Sequence, residues 1–218
     1  AAIIVEPLQR IIPPAPGFLQ LLRAEADKYG ILLIFDEVVT GFRFAYGGAQ
    51  ELYGVTPDIA TLGKIIGGGF PLAAIAGRAD IMAHFDKAAV GAEKWLMQLG
   101  TLSGNPVAAV AGLKTMEILR RDGQYETLRS YGRRLQDMAA AALDAHGIAH
   151  RIVGDPTLFE IVFTENEPRD YRDVLQADNS KGAAFNKVLT TEGLFKSPGK
   201  TYPCLALTGE DFAVAEAA

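Results

Sequence analysis

The chain has 218 residues, of which 49% are hydrophobic and 22% are charged, proportions that are typical of globular proteins. Its net charge of −5, without any basic stretch, argues against binding to a nucleic-acid backbone. No apolar run reaches the roughly 18 residues that a membrane-spanning helix needs. The single cysteine excludes an intrachain disulfide framework and fits a reducing compartment such as the cytoplasm.

The first 35 residues predict a parallel crossover unit. The apolar run Ala2–Glu6 has the length of a strand and predicts a buried central one. Apolar residues at helical spacing predict a helix over Phe18–Tyr29, which Gly30 ends. Ile31–Phe35 predicts a second buried strand. In such sheets ligands bind just beyond the carboxyl ends of the strands.

The remaining predicted elements divide the chain into two regions that differ in their secondary structure. Short strands and two long helices continue the first region, at Asp58–Leu62, Leu72–Ala76, Val107–Arg121 and Tyr125–His146. Beyond residue 150, β-like runs at Leu158–Phe163 and Tyr202–Leu207 surround a polar helix near residues 178–192. We therefore expect a large α/β domain over residues 1–149 and a small α+β domain over residues 150–218.

Both ends of the sequence are unusual. The chain opens directly into a predicted buried strand without an initiator Met or a signal-peptide pattern, and it ends inside a predicted helix. These features predict the carboxy-terminal portion of a longer protein, and we expect the isolated 218-residue chain to be inactive.

An acid and a lysine stand at the predicted edge of the sheet. Asp36 follows the strand Ile31–Phe35, and Lys64 lies 28 positions downstream, between Gly63 and the cluster Gly67–Gly69. An enzyme that uses pyridoxal 5'-phosphate (PLP) needs an amine to hold the cofactor aldehyde as a Schiff base. It also needs a carboxylate to keep the pyridine nitrogen protonated. The pair therefore predicts a PLP site.

Each of these residues has an ordinary structural alternative. Lys64 alone is typical of an exposed loop, and Asp36 alone of a helix cap or a turn. The adjacent Glu37 weakens the cap interpretation, because a cap needs only one acid. Val38 would share the strand face of Asp36 and pack against a flat ring, or else belong to an ordinary core. The pairing of the acid with the lysine favours the cofactor site.

The segment Gly100–Pro106 precedes a predicted helix and carries two hydroxyl groups. Hydroxyls and N–H groups at a helix N-terminus suit a phosphate, whereas a plain Ser or Asn cap is the alternative. No dinucleotide or P-loop glycine motif is present, which disfavours an ordinary nucleotide-binding domain. The histidines at 84, 146 and 150 lack metal-ligand spacing, so no metal site is predicted.

Three segments together resemble the class III PLP-dependent aminotransferases: Asp36–Arg43, Gly54–Lys64 with its continuation Gly67–Pro71, and Gly100–Pro106. Within that family the sequence is most similar to the glutamate-1-semialdehyde aminomutase branch. The resemblance implies an α/β fold of fold type I. This chain would supply part of the large domain, with a parallel or mixed sheet, and the small α+β carboxy-terminal domain.

The resemblance also implies roles for four residues. Lys64 is the Schiff-base lysine, Asp36 bonds the pyridinium nitrogen, and Val38 lies against the cofactor ring. Thr101 reaches the cofactor phosphate of the neighbouring subunit in a homodimer. The implied partners are a small amino donor and a carbonyl acceptor, between which an amino group is transferred.

Two departures from the family pattern bear on the reaction. The amino-terminal half, with its phosphate loop and ring-stacking aromatic, lies outside this sequence. The predicted small domain carries Leu194–Lys200 where an aminomutase is expected to carry a Glu-Ala-Gly-Phe-like segment. The second departure favours an intermolecular transaminase over the aminomutase, and a non-catalytic scaffold of the same fold is a further alternative. Arg10, Arg43 and Lys200 are candidates for recognising a substrate carboxylate.

Overall fold

A computed structural model describes residues 1–8 and 11–218. The described residues form two compact units. The first comprises Ala1–Pro7 and Pro14–Arg121, and the second comprises Asp122–Ala218 together with Leu8 and residues 11–13. The division predicted from the sequence, 1–149 and 150–218, concerns the domains of a complete protein and stays a prediction.

The first unit is built on a four-stranded sheet in the order β1-β2-β3-β4, with β1 at Ala2–Val5, β2 at Leu32–Glu37, β3 at Ile59–Leu62 and β4 at Ala74–Gly77. The strands β1, β2 and β3 are parallel, and β4 runs antiparallel to β3. Helix α1, Phe18–Tyr29, connects β1 to β2. The predicted α/β crossover unit is therefore confirmed, but β1, predicted to be a buried central strand, lies at the edge of the described sheet, and its residues are exposed or half-buried.

The two faces of β2 differ in burial. Leu33, Phe35 and Glu37 are buried, whereas the alternate residues are half-buried. The buried face packs with Leu19 and Ala26 of α1 to form the core of the unit. Because side chains alternate along a strand, Asp36 lies on the opposite, half-exposed face.

Four further helices complete the first unit: α2 at Gly48–Tyr53, α3 at Ala79–Met82, α4 at Lys87–Val90 and α5 at Pro106–Leu119. Short 3₁₀ turns cover Lys64–Gly67 and Ala83–Phe85. The first of these turns follows β3 and packs against α5. None of the helices in the described parts of the chain is long and apolar enough to cross a membrane.

The second unit combines a hairpin with four helices. Its elements are α6 at Gln124–Ala145, β5 at Arg151–Asp155, β6 at Leu158–Val162, α7 at Tyr171–Leu175, α8 at Asn179–Thr191 and α9 at Gly209–Ala217. The strands β5 and β6 pair antiparallel. Their buried residues Val153, Leu158 and Phe159 contribute to the core.

The prediction of a strand over Tyr202–Leu207 is wrong. Only the preceding residue, Thr201, forms an isolated bridge with Phe159 of β6. Pro203 has no N–H group to donate to a ladder, and Thr208 already caps α9 through a reciprocal bond with Asp211.

Candidate active site

Asp36 is the penultimate residue of β2 and lies in register with Thr61 of the parallel strand β3. Its Oδ1 accepts hydrogen bonds from the Val38 N–H and from the Thr61 hydroxyl, both at 3.1 Å. The bond from Val38 is the local one that a turn aspartate makes, so this alternative is realised in part. Among the described residues, Oδ2 of Asp36 has no hydrogen-bond partner. One carboxylate oxygen therefore remains for a ligand.

Of the two adjacent acids, Asp36 and Glu37, it is Glu37 whose side chain has the main structural role. Its side chain is 1% exposed and accepts hydrogen bonds from the Thr40 hydroxyl at 3.0 Å, the Ala49 N–H at 2.7 Å and Gln50 Nε2 at 2.9 Å. The bond from Ala49 satisfies an amide at the start of α2. Glu37 thus ties α2 to the end of β2, and Asp36 is not needed there.

Lys64 begins the 3₁₀ turn that follows β3. Its side chain is exposed, and no hydrogen bond or ion pair engages Nζ among the described residues. In particular, Asp36 and Lys64 form no ion pair with each other. The backbone of Lys64 has a φ of 50°, in the left-handed region that residues other than glycine seldom adopt. Such conformations occur where the surrounding structure imposes them.

Helix α5 holds this turn through close backbone approaches. An added Cβ on Gly112 of α5 would lie 2.1 Å from the Ile66 carbonyl oxygen. An added Cβ on Gly68, whose φ is +56°, would lie 2.7 Å from the Ala111 carbonyl oxygen. A side chain at Gly112 would collide with the Ile66 backbone, and one at Gly68 would collide with both the Thr115 hydroxyl at 2.5 Å and the Ala111 backbone. The turn that carries Lys64 is therefore positioned by α5.

Val38 lies one residue beyond the end of β2, so strand alternation does not itself determine its direction. Its Cγ1 is 3.3 Å from the position that a Cβ of Gly63 would occupy. The missing side chain of Gly63 therefore allows Val38 to pack beside the residue that precedes Lys64.

Thr101 lies in a turn that precedes α5 and is exposed. The helix cap is Asn105, whose Oδ1 accepts from the Val107 N–H at 2.9 Å and the Ala108 N–H at 3.4 Å. The ordinary Asn cap is thus present. Within the described part of the chain, the Thr101 hydroxyl makes no hydrogen bond to Asp36, Val38 or Lys64.

The strand that carries Thr61 is fixed at its start by Asp58, which the sequence did not single out. Its carboxylate accepts from the Leu33 N–H at 2.8 Å, from Arg23 at 2.9 Å and from Arg78 at 3.0 Å. Burial would raise the pKa of Asp58, but these donors outweigh it and hold the pKa below its ordinary value. Asp58 thereby locks β3 against β2.

The three residues predicted to recognise a substrate carboxylate lie in different parts of the chain. Arg10 lies outside the described residues. Arg43 is half-buried in the first unit, and Lys200 is half-buried in the second. In the second unit, burial raises the pKa of Glu160, against the opposing charges of Lys196 and Lys200. Lys200 therefore belongs to a local charge cluster that the sequence did not reveal.

The residues present fit PLP. Asp36 offers an unengaged carboxylate oxygen, Lys64 offers an unengaged amine, and both stand at the carboxyl ends of adjacent parallel strands. A cavity of about 390 Å³ in the first unit includes neither residue. That cavity is lined by Tyr46, Leu113, Met116, Glu117, Arg120 and Arg121. The roles of Lys64, Asp36, Val38 and Thr101 stay predictions.

Comparison with known proteins identifies the family and the fold. The family model described as Aminotransferase class-III matches residues 1–210. The glutamate-1-semialdehyde 2,1-aminomutase of Pelotomaculum thermopropionicum is 44% identical over 210 residues, covering 92% of this chain and 46% of that protein. The aminomutase of Natranaerobius thermophilus is 41% identical over 203 residues, with the same coverage.

Two solved structures of transaminases have the same fold. An omega-transaminase from Sphaerobacter thermophilus is 33% identical with a TM-score of 0.87, covering 99% of this chain and 51% of that one. A β-phenylalanine aminotransferase from Variovorax paradoxus is also 33% identical, with a TM-score of 0.85 and coverage of 99% and 50%. The chain spans about half the length of the relatives it matches.

Proposed function

The chain belongs to the aminotransferase class-III family, and on that premise we propose that the complete protein is a PLP-dependent aminotransferase. It would transfer an amino group between an amino acid or amine and a carbonyl acceptor. The observation that carries this proposal is the pair of unengaged groups, Asp36 Oδ2 and Lys64 Nζ, at the ends of β2 and β3. Asp36 is half-buried and Lys64 is exposed, so a ligand can reach both groups.

The proposed roles follow from where each side chain lies. When bound, PLP supplies an electron sink for the electron pair left by the substrate Cα–H bond. Lys64 would hold the cofactor aldehyde and, once displaced by the incoming amine, move the proton between substrate Cα and cofactor C4′. Asp36 Oδ2 would accept the hydrogen bond of the ring N–H. Val38, beside Gly63, would cover one face of the ring.

We also propose a homodimer in which Thr101 reaches the cofactor phosphate of the partner. The Thr101 hydroxyl has no hydrogen-bond partner among the described residues, and several large apolar side chains near it in the sequence are exposed. The large apolar side chains that are exposed on either side of it in the first unit include Leu96, Met97, Leu99, Leu102, Val107 and Val110. An apolar surface of this kind is typical of an interface between subunits.

A second candidate reaction is the intramolecular aminomutase. It is favoured by the names of the relatives at 41–44% identity. The intermolecular reaction is favoured by the segment Leu194–Lys200, which stands where an aminomutase is expected to carry a Glu-Ala-Gly-Phe-like segment. Glutamate-1-semialdehyde supplied alone separates the two: an aminomutase isomerises it, whereas a transaminase needs a second substrate.

The experiment that tests the function compares two lysine variants of the full-length protein. Lys64→Ala should abolish amino transfer and the visible absorbance band of PLP linked to a lysine. Lys114→Ala is the matched control, because Lys114 is an exposed lysine of the same unit that pairs with Glu117 at 2.9 Å. It should leave both unchanged. Full activity of Lys64→Ala would contradict the proposal.

We also propose a cytoplasmic location for this enzyme, which the single cysteine supports.

A further inference from the structure

Thr61 makes the only side-chain hydrogen bond to Asp36 among the described residues. The parallel register places the two residues directly opposite each other on β3 and β2. The Thr61 hydroxyl donates to Asp36 Oδ1 at 3.1 Å. The N–H of Val38, two residues after Asp36, donates to the same oxygen. A carboxylate held by two donors on one oxygen cannot rotate freely, so the direction of Oδ2 is fixed.

We propose that Thr61 is a positioning residue that holds Asp36 with Oδ2 directed at the ring nitrogen of the cofactor. This inference rests on the proposed function and deepens it. Thr61 does not itself touch the reacting atoms. It acts through Asp36, whose free oxygen can form one short bond to a ring N–H only when the other oxygen is kept in place.

The strand ladder explains why this position can hold the acid accurately. Thr61 is followed by Leu62, which pairs with Glu37, so the backbone of β3 is fixed on both sides of the hydroxyl. A β-branched side chain on a strand has restricted χ1 freedom, and the hydroxyl therefore has few alternative directions. Asp58 fixes the same strand three residues earlier through its bonds to Leu33.

An ordinary cross-strand pair is the competing interpretation. In that case the Thr61–Asp36 bond would stabilise the sheet and would have no effect on the cofactor. The two interpretations separate when shape and hydroxyl are changed independently. Thr61→Val keeps the branched shape and removes the hydroxyl, whereas Thr61→Ser keeps the hydroxyl and removes the methyl group.

The test measures three properties of the full-length protein: the dissociation constant of PLP, the ¹⁵N NMR signal of the ring nitrogen in ¹⁵N-labelled PLP, and the melting temperature of the apoprotein. Thr61→Val should weaken PLP binding about tenfold, as expected for the loss of a hydrogen bond to a charged group. The ring-nitrogen signal should move toward that of the unprotonated ring. Thr61→Ser should restore both. Thr190→Val, which removes a hydroxyl bonded to the Asn186 carbonyl in the second unit, is the control.

A Thr61→Val protein with wild-type affinity and an unchanged ring-nitrogen signal would overturn the proposal, even if its melting temperature fell. If Thr61→Val does not fold, Thr61→Ala is measured in the same way. In an Asp36→Asn background, the loss of the Thr61 hydroxyl should have no further effect on PLP affinity. A wild-type protein that does not bind PLP would contradict the proposed function itself. If amino transfer requires Lys64 but Thr61→Val leaves PLP affinity and the ring-nitrogen signal unchanged, only this inference is contradicted.

Discussion

Gly112 is expected to control the position of Lys64 although it lies on a different element. In Gly112→Ala the new Cβ would stand 2.1 Å from the Ile66 carbonyl oxygen and 3.1 Å from Leu72 Cδ2. The shortest ordinary carbon–oxygen contacts are about 3.3 Å, so α5 and the 3₁₀ turn must separate by about 1 Å. The Ile66 carbonyl belongs to the turn that Lys64 begins, and it cannot move without the backbone of that turn.

Two opposing effects set the size of the change in stability. Crowding a packed site costs about 1–3 kcal/mol. Replacing glycine by alanine inside a helix contributes about 0.5–1 kcal/mol in the other direction. We expect a net loss of about 1–2 kcal/mol in the free energy of unfolding. Because a displacement of about 1 Å in a reacting group can cost about a hundredfold in rate, amino transfer should fall further than stability alone explains.

The assay compares Gly112→Ala with Gly182→Ala in the full-length protein. Gly182 is inside helix α8, and the nearest atom to its added Cβ is Phe163 Cδ2 at an ordinary 3.8 Å. The control should therefore gain about 0.5–1 kcal/mol in stability and keep its activity. Denaturant unfolding and the rate of amino transfer are measured for both. If Gly112→Ala matches Gly182→Ala in stability and rate, the reasoning about the α5 contact is refuted.

Two other substitutions test the site and the strand that supports it. Asp36→Asn should keep the bonds from Val38 and Thr61 but reduce amino transfer by about tenfold or more, because an amide loses the charge-assisted bond to the ring nitrogen; a rate within threefold of wild type would assign Asp36 another role. Asp58→Asn should lower the free energy of unfolding by about 1–2 kcal/mol at neutral pH, since the Arg23 and Arg78 side chains lose a charged partner but are partly exposed, and Arg23 keeps Asp27. Because the folded pKa of Asp58 lies below its ordinary value of 3.8, its contribution is present above that pH and is lost as the pH falls through the lowered pKa. Acid unfolding curves that stay parallel for the two proteins would contradict this.

The sequence was sufficient where the signal was local. Helix α1 has the bounds that its periodicity predicts, and the first three strands lie within two residues of the predicted runs. The role of Lys64 stays a prediction, which depends on its pairing with Asp36, 28 positions upstream, and on the short motifs of the family resemblance. The strand predicted over Tyr202–Leu207 is absent. The prediction gave weight to the hydrophobic residues of this run and too little to Pro203, which cannot donate a hydrogen bond to a neighbouring strand.

The supporting contacts of the site could not be found in this way. Glu37 binds groups 3 to 13 positions away, and Asp58 joins Arg23 and Leu33 across distances of 35 and 25 positions. Thr61 reaches Asp36 only because the parallel register brings two strands together. Such pairs carry no periodic signal in a single sequence, since they depend on tertiary packing. The same holds for Gly112, whose need for glycine arises from the backbone of another element.

The most direct measurement of the central claim is the identity of the lysine that binds the cofactor. The full-length protein is loaded with PLP, reduced with borohydride, digested and mapped by mass spectrometry. We expect the pyridoxyl adduct on Lys64, the exposed and unengaged amine at the end of β3. An adduct on Lys94 or Lys114 in place of Lys64, or no adduct on any lysine, would contradict the account.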